Sequence, residues 1–110
     1  METRYVQIVT TIDKKEAAET IAKTLVEMKL AACVQILGPI ISTYRWQGKV
    51  ESAEEWQCLI KSRSDRYCDI EGVINALHPY DLPEVIMMPI IGGRATYLAW
   101  IDENVEPEDS

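Results

Sequence analysis

Apolar positions fall into two alternating rhythms along this chain, and the switches between them mark out its elements. In "RYVQIVTTI", residues 4–12, Val6, Ile8 and Thr10 alternate with Tyr5, Gln7 and Val9, and β-branched side chains dominate, which predicts a strand. From residue 14 the spacing changes. Ala18, Ile21, Ala22, Leu25 and Met28 recur every three or four positions, so a helix is predicted over residues 14–29. Asp13, with Glu16 three positions on, is expected to cap that helix reciprocally.

Two long extended segments follow, residues 31–46 and 49–62, joined by Gln47-Gly48. A two-residue linker with glycine available for positive φ suits a tight hairpin. Gly38-Pro39 interrupts the first segment, and proline has no N–H for the ladder, so a bend or bulge is expected there. The unbroken register sets Trp46 opposite Lys49, Tyr44 opposite Glu51 and Cys33 opposite Ser62. Cys33 then lies about 13 Å along the ladder from Cys58, out of disulfide reach. In "SDRYCDIEGVINALH", Ser64 is the expected cap, Tyr67, Ile70, Ile74 and Leu77 mark one helix face, and Pro79 ends the helix. Residues 84–91 read as a strand with Pro89 at an edge or bulge. Tyr97, Leu98, Ile101 and Val105 then space a short closing helix, and residues 106–110 form an acidic tail expected to fray.

Strand, helix, strand, strand, helix, strand and a short C-terminal helix make an α+β chain on the ferredoxin-like βαββαβ plan, as a single domain over residues 1–105. One feature exceeds that plan. Hairpin strands of about 14–16 residues are far longer than the usual 5–6, so the β2-β3 tip should project beyond the helices. The projecting part carries Tyr44, Trp46, Val50 and Trp56, and an uncovered arm of this kind is expected to be an interface.

Charge and composition remove some classes of function. The net charge is −7 and no Lys/Arg block stands out, which argues against a phosphate-neutralising surface and hence against nucleic acid as a partner. Apolar runs fall far short of the ~20 residues that cross a bilayer, and the N-terminus lacks a secretory pattern, so the cytoplasm is the expected compartment and no membrane partner is expected. Three cysteines, Cys33, Cys58 and Cys68, form neither a CxxC knuckle nor a disulfide framework and read as small buried apolar residues. No nucleophile elbow or phosphate loop is present, so the chain is not expected to be an enzyme or to hold a tightly bound cofactor.

Candidate chemistry gathers in "LHPYDLPE", residues 77–84, which contains the only histidine. Imidazole suits copper or zinc, but a tight site takes three or four protein ligands. The same stretch is coherent as a stiff turn. His78 would sit in the last helical turn at the negative dipole end, Asp81 would hold a turn, and Tyr80 would fill a cleft at a subunit boundary. Both readings stand at this point. Glu55 either faces such a cleft or guards the hairpin edge, and Trp46 is expected to anchor an interface. Tyr97 and Trp100 are expected to pack on the sheet or a neighbour, and Lys61 either pairs with a carboxylate or is solvated.

Several blocks recur together in one order: "LAACVQI" at residues 30–36, Ser42-x-Tyr44-x-Trp46-x-Gly48-x-Val50 followed by Glu55, "LIKS" at residues 59–62, "HPYDLPEV" at residues 78–85, and "YLAW" at residues 97–100. In these the chain resembles the CutA, or divalent-cation tolerance, family over nearly its whole length. The resemblance implies a homotrimer of ferredoxin-like subunits whose edge strands pair, together with divalent metal binding, copper especially, and metal tolerance. Metal-binding members are thought to use a cysteine late in the first strand and two adjacent histidines, and the matching positions here are Thr10, Leu77 and His78. Only His78 keeps a donor, to be completed by Cys33, a carboxylate or a neighbouring subunit. The alternative is a signalling or scaffold module that takes a small anionic effector in its inter-subunit clefts, contacted by Arg45, Lys61 or Arg94.

Overall fold

The computed structural model describes residues 4–107. Its elements are β1 (Tyr5–Ile12), α1 (Lys15–Glu27), β2 (Cys33–Trp46), β3 (Lys49–Arg63), α2 (Tyr67–Leu77), β4 (Ile86–Pro89) and α3 (Ala95–Asn104). The strands form one antiparallel sheet in the order β2-β3-β1-β4, the ferredoxin-like arrangement that the element order implies. Among the described residues no helix is long and apolar enough to cross a membrane.

Strand alternation decides what the sheet buries. Val6, Ile8 and Ile12 of β1 meet Ala18, Ile21 and Leu25 of α1 and Ile70 and Ile74 of α2 in the main core. Burying each large aliphatic side chain there stabilises the fold by about 1.5–3 kcal/mol. Tyr5 alternates with Val6 and points the other way, where Ile101 and Val105 at the α3 end form a smaller cluster with Ala32. Asp102 ties α3 to the sheet, accepting from Arg4 Nε at 3.1 Å, Tyr5 Oη at 2.5 Å and Arg63 Nη1 at 3.2 Å. Burial alone would raise its carboxyl pKa, but the bonds from Tyr5 and Arg4 outweigh it and hold the group below the ordinary range. The rest of that sheet face stays open, with Leu37, Ile86 and Met88 exposed.

Thr10 points into the helix-covered face, fully buried, and its Oγ1 has no hydrogen-bond partner. Replacing Thr10 by the isosteric valine is therefore expected to raise stability by about 1 kcal/mol. Urea denaturation reads this directly, and a loss of stability would show that the hydroxyl has a partner in solution.

The helix ends differ from the expected caps. Lys14 is extended at φ −131° and ψ 131°, so α1 starts at Lys15, and no side chain caps it. The reciprocal box from Asp13 does not form. Ser64 opens a single 3₁₀ turn, Ser64–Arg66, which displaces the start of α2 to Tyr67 and leaves Ser64 out of its cap. At the far end of α1, Lys29 takes a left-handed φ of 57°, and Leu30 N–H bonds the Leu25 carbonyl at 3.0 Å. The tail is held at its start, because Glu106 N–H bonds the Lys29 carbonyl at 2.9 Å. Residues 108–110 of the expected tail lie outside the described residues. β4 covers four residues, half the predicted strand, and Pro89 ends it at the sheet edge.

Gly38 and Pro39 shift the hairpin register by one. Leu37 pairs with Gln57 but Ile40 pairs with Glu55, so both residues stand opposite Trp56 alone. Trp46 faces Lys49 and Tyr44 faces Glu51 as expected, whereas Cys33 faces Lys61 and not Ser62. A one-residue shift exchanges faces. Cys33 consequently shares the open face with Lys61, while Cys58 stays in the core. Beyond the bulge the hairpin projects as an arm, closed by Gln47 at φ 50° and Gly48 at φ 80°. It contributes to a longest dimension of 43 Å against 26 and 25 Å across.

Candidate functional site

A cavity of about 760 Å³ lies where the arm leaves the body, walled on its other side by the loop after α2. The register puts Tyr44, Trp46 and Glu55 on one face of the arm, since their alternation is unbroken past the bulge. α2 ends at Leu77, and His78, extended at φ −86° and ψ 132°, turns the chain back towards the arm. Tyr80 Oη then donates to Glu55 Oε2 at 2.8 Å. Burial, and next the bond to Glu55, push the Tyr80 hydroxyl far up, so it remains a donor. Glu55 is only 6% exposed. Asp81 and Glu84 also line the cavity, and Thr11 Oγ1 donates to Glu84 Oε1 at 3.5 Å.

His78 is not in the last helical turn, so the expected dipole contact is replaced by a side-chain clamp. Its ring, on a residue 8% exposed, has Nε2 2.7 Å from the Thr11 carbonyl, and Nδ1 accepts Tyr80 N–H at 3.2 Å. A backbone N–H can only donate, which makes Nδ1 the acceptor and places the proton on Nε2. The short β4 explains the first contact. It pairs with β1 only as far as Val9, so the Thr11 carbonyl beyond it has no β4 partner and is met by the His78 ring. The Tyr80 ring stands edge-on to the imidazole, with centroids 4.5 Å apart.

The remaining candidates separate into two ends of the sheet. Tyr44, Trp46, Glu55 and Tyr80 converge on the cavity. Cys33 is level with Lys61 and Gln7, while Thr11, beside His78, lies four residues further along β1, about 13 Å away. A single chain therefore does not bring Cys33 and His78 together. Among the described residues, no three His, Cys, Asp or Glu side chains gather in a metal-holding group. Lys61 bonds the Gln35 side-chain carbonyl at 2.5 Å and not a carboxylate. Tyr97 and Trp100 pack on each other on α3, centroids 5.5 Å apart, each partly exposed. The cations Arg45, Lys61 and Arg94 do not converge. Arg45 Nη1 turns to the Gly48 carbonyl at 3.5 Å, and Arg94 Nε bonds Thr96 Oγ1 at 3.1 Å.

All three cysteines are free, but their reactivities differ. Burial pushes the Cys58 thiol up to about 11, whereas Cys68 is exposed. In native protein Cys68 is expected to react promptly with an aromatic disulfide reagent and Cys58 only after unfolding. Prompt labelling of all three thiols would contradict the burial of Cys58.

The ferredoxin-like fold of this chain is shared with solved divalent-cation tolerance proteins. The CutA1 structure from the psychrotrophic bacterium Shewanella matches with a TM-score of 0.92 and 40% identity, covering 96% of this chain and 98% of that one. The structure from Thermus thermophilus matches at 0.91 and 40%, covering 93% and 99%. In sequence, the chain is 42% identical over 97 residues to the divalent-cation tolerance protein CutA of Thermus thermophilus, covering 88% of this chain and 94% of that protein. The model of the family described as "CutA1 divalent ion tolerance protein" matches residues 6–104. The chain belongs to this family.

Proposed function

We propose that this chain acts in divalent-cation tolerance as a cytoplasmic homotrimer that binds copper or zinc at modest affinity. The observation that carries the trimer is the uncovered apolar surface. Ile41 and Val50 on the arm are 72% and 67% exposed, and Leu37, Ile86 and Met88 are exposed on the opposite, open face of the sheet. Two sheet edges, β2 and β4, also have unpaired ladder groups. Such surface is an aggregation hazard unless a second copy covers it. Family membership supports the tolerance role. Three free thiols, one of them buried, fit a reducing compartment.

On this reading the metal takes donors from more than one subunit, since no single subunit assembles a ligand set among the described residues. A metal at His78 would use Nδ1 and release Tyr80 N–H. The test is a calorimetric Cu(II) titration of metal-free, thiol-reduced protein, with light scattering on the same sample. Saturable binding at one metal per chain or one per trimer is expected. A monodisperse monomer at micromolar concentration would remove the trimer, and no saturable copper or zinc binding by an intact trimer would remove the metal role.

A further inference from the structure

The arm leaves the sheet at a point that is gripped from both faces. We infer that Glu55 and Trp56 are positioning residues that fix the angle of the arm, so that it is aimed at a second copy before the two meet. This inference rests on the proposed trimer and adds to it which residues set the geometry of assembly.

Three changes coincide at Trp56. The pairing of β1 with β3 ends where Ile12 faces Trp56, so residues 49–55 pair with β2 alone. Gly38 and Pro39 bulge opposite the same residue. A two-stranded ribbon twists more than a sheet does, and a bulge bends the strand that contains it. Left unrestrained, this root is where the chain would flex.

Two side chains restrain it. Successive strand residues point to opposite faces, so Trp56 and Glu55 are held on different sides. On the helix-covered side, the half-buried Trp56 indole packs against the main core. It lies so close to Gly38 that a Cβ there would stand 2.8 Å from Nε1. On the open side, Glu55 is buried and accepts the Tyr80 hydroxyl at 2.8 Å. Tyr80 is itself fixed to the body, since its N–H bonds His78 Nδ1 and the same ring meets the Thr11 carbonyl. The indole thus ties the bulge to the core, and the carboxylate ties the arm to the loop after α2.

Leverage gives the restraint its consequence. Gly48 lies eight residues from Trp56, about 26 Å along an extended strand. A rotation of about 10° at the root would move the tip by about 4–5 Å, close to the spacing of neighbouring strands. An arm free to swing that far would meet a partner in several registers, and association would carry the cost of ordering it.

The test compares wild type, Tyr80→Phe, Trp56→Leu and Ile74→Val as full chains, by sedimentation velocity over a dilution series. Tyr80→Phe removes the hydroxyl from Glu55, and Trp56→Leu removes the indole but keeps an apolar side chain. Ile74→Val thins the core at α2, away from the root. A cooperative urea transition shows that each subunit folds. Each root variant is expected to raise the concentration at which the trimer dissociates by about tenfold, while Ile74→Val leaves it unchanged. Should Trp56→Leu fail to fold, Tyr80→Phe decides alone. A trimeric wild type whose Tyr80→Phe variant dissociates at the same concentration would overturn the inference and leave the trimer standing. An equal rise for Ile74→Val would do the same, because the effect would then be general destabilisation. A monomeric wild type would overturn both.

Discussion

His78→Ala is expected to lower stability by about 2–4 kcal/mol, even in protein freed of metal. The imidazole joins two backbone groups, the Thr11 carbonyl and Tyr80 N–H, 69 positions apart in the sequence. Thr11 is buried, so its carbonyl loses its partner without regaining water. Tyr80 would also lose the ring against which it stands, which loosens its hold on Glu55. The measurement is urea denaturation of wild type and variant in chelator. A variant as stable as wild type without metal, but less stable with copper, would make ligation the primary role of His78. An equal loss in both conditions establishes the clamp.

Gly38→Ala is expected to cost about 1–3 kcal/mol by overpacking. A methyl group on Gly38 would stand 2.7 Å from Trp56 Cγ and 2.8 Å from its Nε1, inside any real carbon contact. The Trp56 ring lies across the bulge, against the main core, and cannot withdraw without opening a void there. The bulge also sets the phase of everything towards the body end of β2, so strain at Gly38 is expected to reach Cys33. A combined reading by denaturation and by the rate of Cys33 labelling checks both statements. Unchanged stability would mean that the indole repacks freely.

The elements were legible in the sequence because their signals are local. The two-period switch after residue 12, the Gln47-Gly48 turn and the length of the arm all follow from neighbours in the chain. The cap at Asp13 was not legible, since a suitable residue type does not fix the backbone angle of Lys14 beside it. Gly38-Pro39 announced an irregularity but not its size, and that size decides which face Cys33 occupies. The site was readable in part. Alternation groups Tyr44, Trp46 and Glu55, but that Tyr80 reaches Glu55 depends on a turn 25 residues away. The role of His78 depends on how soon β4 stops, and the apolar run of residues 84–91 hides that endpoint. Asp81 and Glu84 carried no signal of their own beyond their nearness to His78.

The sheet's two free edges are unlike one another, fourteen residues of β2 on one side and four of β4 on the other. In the proposed trimer, contacts between unlike edges would run head to tail, so each copy would offer one socket and one plug, and the assembly would end only where its geometry closes into a ring. Damage to the two edges then has different arithmetic from damage to a two-fold contact. A chain with a blocked β2 edge mixed with a chain with a blocked β4 edge retains one sound junction between them and stops at a pair. Neither defect rescues the other.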